Sequence, residues 1–587
     1  MNQTSETMRT LSDTWRAHWP GALAIWSRYT KLREPVWCEI PAQAGREGIG
    51  AGDSGAMIRL TDQVVVISFP NLVKAGLHRF PLEILAHEIG HHVYCPGDLA
   101  DQAQLLARIR RALPKFESHA GLVANLYADL LINNRLQRSA GLDLAGLFRA
   151  IQGTEGTDPV WTLYMMICEN LWGLPARSLA KGESTARLRA DADLGARLAR
   201  VYSRNWLQGA GRFAALLYPH IAVTRESETA VWLRGLRDLE KTGSGADLAP
   251  DGLVEIDAGE VGGAVHPALD EELSGIEAES GEETVSGSDA DGAASGQYRE
   301  PYQYGELLRA LGIRISLEDL AIAYYRERAR PHLARFPRRR APEATEEQAE
   351  GLESWDIGSP IEELDLFESA VASPHIIPGV TTVRRQIGTV SGKEPETTPV
   401  DLDLYVDCSG SMPDPRHSTS YTALAGAIMI ISALRAGSRV KATLWSGKNE
   451  YLTTGEFVRD EKALLGILTG YLGGGTCFPI HLLRETFAGR TSRDRPAHIL
   501  VISDDGVDTM FMDDEKGVSG WETARTALAN GRAGGTLALN LWRPLASCPW
   551  AARAQKQGWD IDVVHTLEDL VAFAREFSRR QYERRIT

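Results

Sequence analysis

The chain has 587 residues, with 78 acidic and 63 basic side chains and a formal net charge of −15. No apolar run reaches bilayer-crossing length and none follows a basic start, so a transmembrane or exported protein is not expected. The six cysteines, Cys38, Cys95, Cys168, Cys408, Cys477 and Cys548, lack paired spacing, which argues against a disulfide scaffold and for reduced thiols in a soluble cytoplasmic protein of roughly three or four domains.

In chain order, Met57 to Leu60 and Val64 to Ser68 read as short strands around Thr61-Asp62-Gln63. A helix follows from Leu82 to Val93. Pro81 sits at its first position, Glu83 lies in its first turn, and Pro96-Gly97 follows its end. Inside it lies His87-Glu88-Ile89-Gly90-His91. Residues four apart share a helix face, so both imidazoles can meet one zinc ion at about 2.0–2.1 Å. Glu88, one step round the helix, is placed to take a proton from water as general base. Two histidines and a glutamate are otherwise poor choices for an apolar helix. The motif resembles that of HExxH metallopeptidases of the zincin type. The neighbouring strand is suited to hold an extended peptide by edge pairing.

A catalytic zinc site needs a third protein ligand and an open fourth position. The extended metzincin pattern wants a glycine at 94 and a ligand at 97, but these are Tyr94 and Gly97, and Asp98 is out of step by one. On the next helical segment, Gly121 to Leu136, polar residues Asn125, Asp129 and Asn133 recur every four positions through mostly apolar neighbours. Asp129 is the expected ligand, with Asn125 and Asn133 orienting it or the histidines. The competing reading makes this stripe the solvated face of an amphipathic helix. His92, Cys95 and His119 are weaker alternatives as ligands.

From Asp158 to Glu240 the pattern is mainly helical, with Trp161, Tyr164, Met165 and Trp172 at core-like spacing. Between Thr242 and Tyr298 there are fourteen acidic residues and no Lys or Arg, so this segment carries −14 and leaves the remainder near neutral. Its composition predicts a disordered, solvated tether. Tyr302 to Arg330 reads as helical. The basic run Arg335 to Arg340 contains a single aromatic, Phe336, and belongs to no nucleic-acid-binding fold, so it reads as a solvated charged turn and no nucleic-acid partner is expected. Gly351 to Thr398, with Trp355, Ile361, Leu364 and Leu366, is expected to pack along the carboxyl-terminal domain as an extension. No phosphate loop of the GxxxxGK(S/T) type occurs.

The last block begins with an apolar strand, Leu404 to Val406, running into Asp407-Cys408-Ser409-Gly410-Ser411, then a helix from Tyr421 to Leu434. Gly473-Gly474-Gly475-Thr476 offers a hydroxyl on a flexible turn, and the strand His498 to Ile502 delivers Ser503-Asp504-Asp505-Gly506. This is a Rossmann-like arrangement with its ligands at the strands' carboxyl ends. Asp407, Ser409, Ser411, Thr476 and Asp504 are hard oxygen donors suited to magnesium or manganese; Asp505 could replace Asp504. The pattern Asp-x-Ser-x-Ser with a distant threonine and aspartate resembles the metal-ion-dependent adhesion site (MIDAS) of von Willebrand factor A domains. The likeness covers Pro399 to Phe577, including a strand Thr536 to Leu541 and a closing helix Leu567 to Phe577.

The expected architecture is therefore multidomain: a zincin-like α+β domain over 1–150, its helical extension over 151–241, a disordered acidic linker over 242–298, a helical and extended segment over 299–398 packing on the carboxyl-terminal domain, and a Rossmann-like α/β von Willebrand factor A domain over 399–587. The combination resembles bacterial proteins that act beside a MoxR-type AAA+ ATPase, some of which belong to conflict systems. That resemblance implies a zinc-dependent endopeptidase acting on protein or peptide, with an adhesion site that grips an acidic residue on the ATPase or a client. Two alternatives remain at this point: a non-proteolytic adaptor with a structural zinc, and a chelatase-like AAA+ partner subunit.

Overall fold

The computed structural model describes residues 2–50, 54–151, 158–223, 249–274, 294–336, 338–340, 345–391, 397–514, 516–566, 569–570 and 572–577. Two compact units result, one of residues 1–328 with 415–419, the other of residues 329–414 with 420–587. None of the described helices is long and apolar enough to cross a membrane.

The first unit opens with helix α1 (Asn2–Trp26) and a three-stranded sheet of order β1-β3-β2, built from β1 (Val36–Cys38), β2 (Ala56–Arg59) and β3 (Val64–Ser68). β3 is buried at every position, and apolar at all but Ser68, because it is the central strand. β2 runs antiparallel to it at the sheet's edge. The motif helix is α4 (Pro81–Val93), which starts at Pro81 and buries Ile84, Leu85, Ala86 and Ile89. It packs against α6 (Ala120–Ser139), whose polar stripe is not solvated: Asn125, Asp129 and Asn133 are all buried. The close approach depends on Gly90, where a Cβ would stand 2.6 Å from Ile132 Cγ2 and 2.7 Å from Trp26 Cζ2.

Helices α8 (Pro159–Trp172), α9 (Ala186–Val201) and α10 (Trp206–Ile221) complete the expected helical extension. Glu169 of α8, buried, accepts hydrogen bonds from the amides of Leu179 and Ala180 at 2.6 and 2.8 Å and so anchors the loop toward α9.

The acidic tether departs from expectation over 249–274 and 294–298. Strand β4 (Glu255–Asp257) pairs with β5 (Ala294–Tyr298), and Leu253, Val254 and Leu273 are buried. The cations that satisfy its carboxylates come from outside the segment. Asp257 pairs with Arg108 at 2.6 Å, Glu260 with Arg299, and Asp270 with Arg212 and with the Tyr202 hydroxyl. Local composition held no Lys or Arg, so it overstated the segment's unpaired charge. The rest of the tether lies outside the described residues, as does 224–240.

A second correction concerns the helices Pro301–Ala310 and Leu317–Ala329. All of the first and most of the second belong to the first unit rather than to the carboxyl-terminal one. Glu327 accepts the Val254 amide at 2.6 Å, and the Arg299 guanidinium donates to the Leu253 and Glu255 carbonyls. The short segment 415–419 is held there too, by Glu300 on the Thr419 amide at 2.6 Å and the Tyr324 hydroxyl against Thr419 Oγ1 at 2.9 Å.

The second unit is built on a six-stranded sheet of order β12-β11-β10-β13-β14-β15. Its strands are β10 (Asp401–Asp407), β11 (Val440–Trp445), β12 (Tyr451–Thr453), β13 (Ala497–Asp504), β14 (Arg532–Asn540) and β15 (Trp559–Val563). All pair in parallel except β12. Helix Tyr421–Arg435 lies on the Val406 face, where a Cβ at Gly426 would stand 3.3 Å from Val406 Cγ2. Helices Ile480–Ala488 and Gly520–Gly531 pack on the Tyr405 face, sharing its core with Phe487, Ile499, Val501 and Leu537. β10 lies between β11 and β13, so the strand order reverses there, the position at which open α/β sheets bind ligands. Residues 569–570 and 572–577 are helical, within the expected closing helix.

Gly90 supplies a test of this packing. Helix propensity alone would make Gly90→Ala stabilising by about 0.5–1 kcal/mol, whereas the clash with Ile132 and Trp26 should make it destabilising by about 1–3 kcal/mol. Denaturant unfolding reads the sign directly.

Candidate metal centres

Two sites emerge, one in each unit. In the first, α4 presents His87 and His91 on one face and α6 brings Asp129 up to them. His87 Nε2 and His91 Nε2 are 3.2 Å apart, and each is 3.4 Å from Asp129 Oδ1. Ligand atoms about 2.0–2.1 Å from a tetrahedral zinc stand about 3.3–3.4 Å apart, so this triangle has the dimensions of one tetrahedral face. Among the described residues it is the one group of three His, Cys, Asp or Glu side chains able to share a metal ion.

The surrounding hydrogen bonds orient every member. His87 Nδ1 lies 2.8 Å from Asn133 Oδ1 and His91 Nδ1 3.0 Å from the Cys95 carbonyl, both acceptors. Each Nδ1 therefore carries the proton, and each Nε2 turns a lone pair toward the other. Two such lone pairs beside a buried carboxylate repel unless a cation lies between them. The Asn125 amide donates to Asp129 Oδ2 at 2.9 Å, which leaves Oδ1 facing the histidines with no hydrogen bond to it. Asn125 and Asn133 thus stand where orienting groups were expected.

The other candidate ligands stand apart from this group. Cys95 meets His91 through its carbonyl, and burial pushes its thiol well above the usual range. Burial lowers the His92 imidazole, which hydrogen-bonds the Gly97 backbone. His119 lies in a 3-10 turn before α6.

The triangle opens onto a small cleft of about 70 Å³, lined by His87, Glu88, Asp129 and Asn133 together with Ser54, Gly55 and Ala56 at the start of β2. Glu88 is buried and lines the same cleft as the histidines. The opposite wall is apolar and includes Leu147, Phe148 and Ile151 of α7 (Leu144–Ile151). Sequence reasoning missed that wall, although the apolar spacing of α7 carried a signal for it.

In the second unit, the carboxyl ends of β10 and β13 bring together four of the five expected oxygen donors, Asp407, Ser409, Ser411 and Asp504, while Thr476 lies on a separate loop against Gly506. Asp407 is buried; its Oδ1 accepts the Ser409 amide at 2.8 Å and its Oδ2 the Ser503 hydroxyl at 2.6 Å. Ser409 Oγ and Ser411 Oγ are 3.2 Å apart, and Ser411 donates to Asp504 Oδ2 at 2.9 Å. Asp504 Oδ1 accepts the Gly506 amide at 2.8 Å. Thr476 sits against Gly506 so closely that a Cβ there would lie 2.2 Å from Thr476 Cγ2. The Gly410 amide ties the serine loop to the Gly474 carbonyl at 2.9 Å.

Asp505 faces elsewhere, accepting the Trp542 amide at 3.2 Å, so Asp504 is the aspartate that meets Ser411. Ser411 and Thr476 are exposed while Asp407 is not, leaving the hydroxyl side open to solvent. Burial, ahead of the neighbouring Asp504 charge, pushes the Asp407 carboxyl above the usual range, against the hydrogen bonds from Ser503 and Ser409. A hard cation would offset that desolvation. Ser503 and Trp542, which is 86 % exposed near the rim, were not foreseen.

Comparison with protein-family models, curated proteins and solved structures finds no match to this chain.

Two outcomes follow from the geometry. Asn125→Ala removes an orienting hydrogen bond but no ligand and should weaken zinc binding by about 10–100-fold in chelator competition; unchanged affinity would contradict the orienting role. At the second site the proton and the metal compete for Asp407. Because its pKa is raised, magnesium affinity should start to fall with decreasing pH earlier than an exposed aspartate would require. Magnesium titrations across that range measure it.

Proposed function

We propose that this chain is a zinc-dependent endopeptidase whose second unit is a von Willebrand factor A-type module gripping an acidic partner group through magnesium or manganese. The single observation that carries the reading is the triangle of His87, His91 and Asp129: among the described residues, three ligands rather than four, beside a cleft that also holds Glu88. A closed structural zinc site needs a fourth protein ligand, and Cys95 turns its carbonyl rather than its thiol to this group.

A zinc ion held there supplies Lewis acidity, polarising a scissile carbonyl and lowering the pKa of water. Glu88 accepts the proton of the attacking water and returns it to the leaving amine. Asn133 and the Cys95 carbonyl hold the two imidazoles in the tautomer that keeps Nε2 available. Strand β2, at the edge of its sheet and reaching the same cleft at Ala56, offers backbone groups along which an extended peptide can lie.

At the second site Asp407, Ser409, Ser411, Thr476 and Asp504 supply oxygen donors, and the exposed side leaves room for a carboxylate from outside the chain. A MoxR-type AAA+ ATPase is the partner this resemblance favours, acting as a remodeller that feeds the zinc site. A cytoplasmic location and a role in bacterial defence or stress accompany that reading.

Glu88→Gln should abolish cleavage of an unfolded protein substrate while zinc content stays at one equivalent, as read by mass spectrometry of new termini and metal analysis. Retained cleavage with zinc bound would refute the mechanism. Asp407→Ala should lose magnesium-dependent capture of an acidic peptide yet keep zinc; unchanged capture would reduce the second unit to a spacer.

A further inference from the structure

The hairpin of β7 (Thr345–Ser354) and β8 (Val383–Ser391) carries, between its strands, the helix Leu366–Ala372. Of the apolar residues singled out in the segment from Gly351 to Thr398, Trp355 is buried, whereas Ile361 and Leu366 are exposed. In the helix, Ser369 is fully buried, donating to the Asp365 carbonyl and accepting the Val383 amide, while Leu366, Phe367 and Val371 are 60, 73 and 67 % exposed. Ile357, Ile377 and Val380 of the adjoining loop are exposed as well. Ile357 reaches that loop directly, because a Cβ at Gly379 would lie 3.0 Å from its Cγ1. Among the lobe's described side chains only Trp355, Ser369 and Thr382 are buried, tied together by backbone and hydroxyl hydrogen bonds.

Soluble proteins rarely expose a contiguous apolar patch beyond a few hundred Å², and larger ones mark binding sites. The charge around this one selects the occupant. From Glu347 to Thr389 the chain carries eight acidic residues and two arginines, a net −6. Arg384 is engaged by Glu353 and Glu363, and Arg385 by Asp365. That leaves Asp356 and Glu362 as exposed negative charge in the connection that carries the helix, with Glu347 and Glu350 exposed further out along β7. Such a rim repels an anionic lipid surface and a second copy of the same rim, and it favours cations.

We infer that this lobe docks a partner polypeptide presenting an apolar helix face flanked by lysine or arginine. Phe367 and Val371 are its anchors, and the acidic rim sets its orientation. None of its residues belongs to either metal centre, and the inference does not depend on the peptidase reading.

The test uses the full-length protein and a labelled synthetic helical peptide, with leucines at i, i+3, i+4 and i+7 and lysines on their flanks. Fluorescence anisotropy should show saturable binding. The same peptide with glutamate for lysine should bind at least about tenfold more weakly, as should the wild-type peptide to a Phe367→Ser, Val371→Ser double variant. Glu362→Lys, an exposed change that leaves the apolar face intact, should weaken binding independently. Zinc content should be the same in every variant. Equal binding of the glutamate peptide, or retention by the double variant, overturns the inference. So does a concentration-dependent dimer in sedimentation, or binding to phosphatidylserine vesicles, if either is lost in the double variant.

Discussion

The first unit turns on burying a carboxylate against two imidazoles. Asp129 sits on a helix whose neighbours are almost all apolar, and a charge placed there costs several kcal/mol unless matched. The imidazoles that would share a matching cation with it come from α4, which packs closely on Ile132 and Trp26 because Gly90 carries no side chain. The Asn125 amide then fixes which oxygen points inward. Packing, hydrogen bonding and site geometry are thus one arrangement: loosen the helix contact and the ligand triangle opens, or remove the amide and Asp129 is free to rotate.

The same economy shapes the second unit at a different kind of site. Asp407 is held at the end of a fully buried strand, so its desolvation favours a cation, whereas Ser411 and Thr476 face solvent. A soft, closed set of ligands would isolate a metal; this hard, one-sided set leaves coordination to be completed from outside. The two centres differ in the way their proposed tasks differ. The first centre lines a small cleft, whereas the second leaves Ser411 and Thr476 open to solvent.

Much of this was legible in the chain because the chemistry is local. The α4 motif, the strand ends at Asp407 and Asp504, and the four-residue recurrence of Asn125, Asp129 and Asn133 all follow from periodicity. Solvation was harder to read: the same recurrence suits an exposed helix face, and only the packing of α4 on α6 separates the two. Charge over 249–274 was misjudged because its partners Arg108, Arg212 and Arg299 lie outside the acidic stretch. Ile361 and Leu366, singled out as apolar residues of the segment over 351–398, are exposed for a related reason. Apolar residues signal burial against something, but not whether that something belongs to the same chain.

The central claim is that the first centre is an open zinc site with three protein ligands. Zinc K-edge X-ray absorption on the purified protein tests it most directly. The account predicts a first shell of light atoms only, two imidazoles with two further oxygens, at about 2.0–2.1 Å. A sulfur shell at about 2.3 Å would place a cysteine on the metal and contradict it.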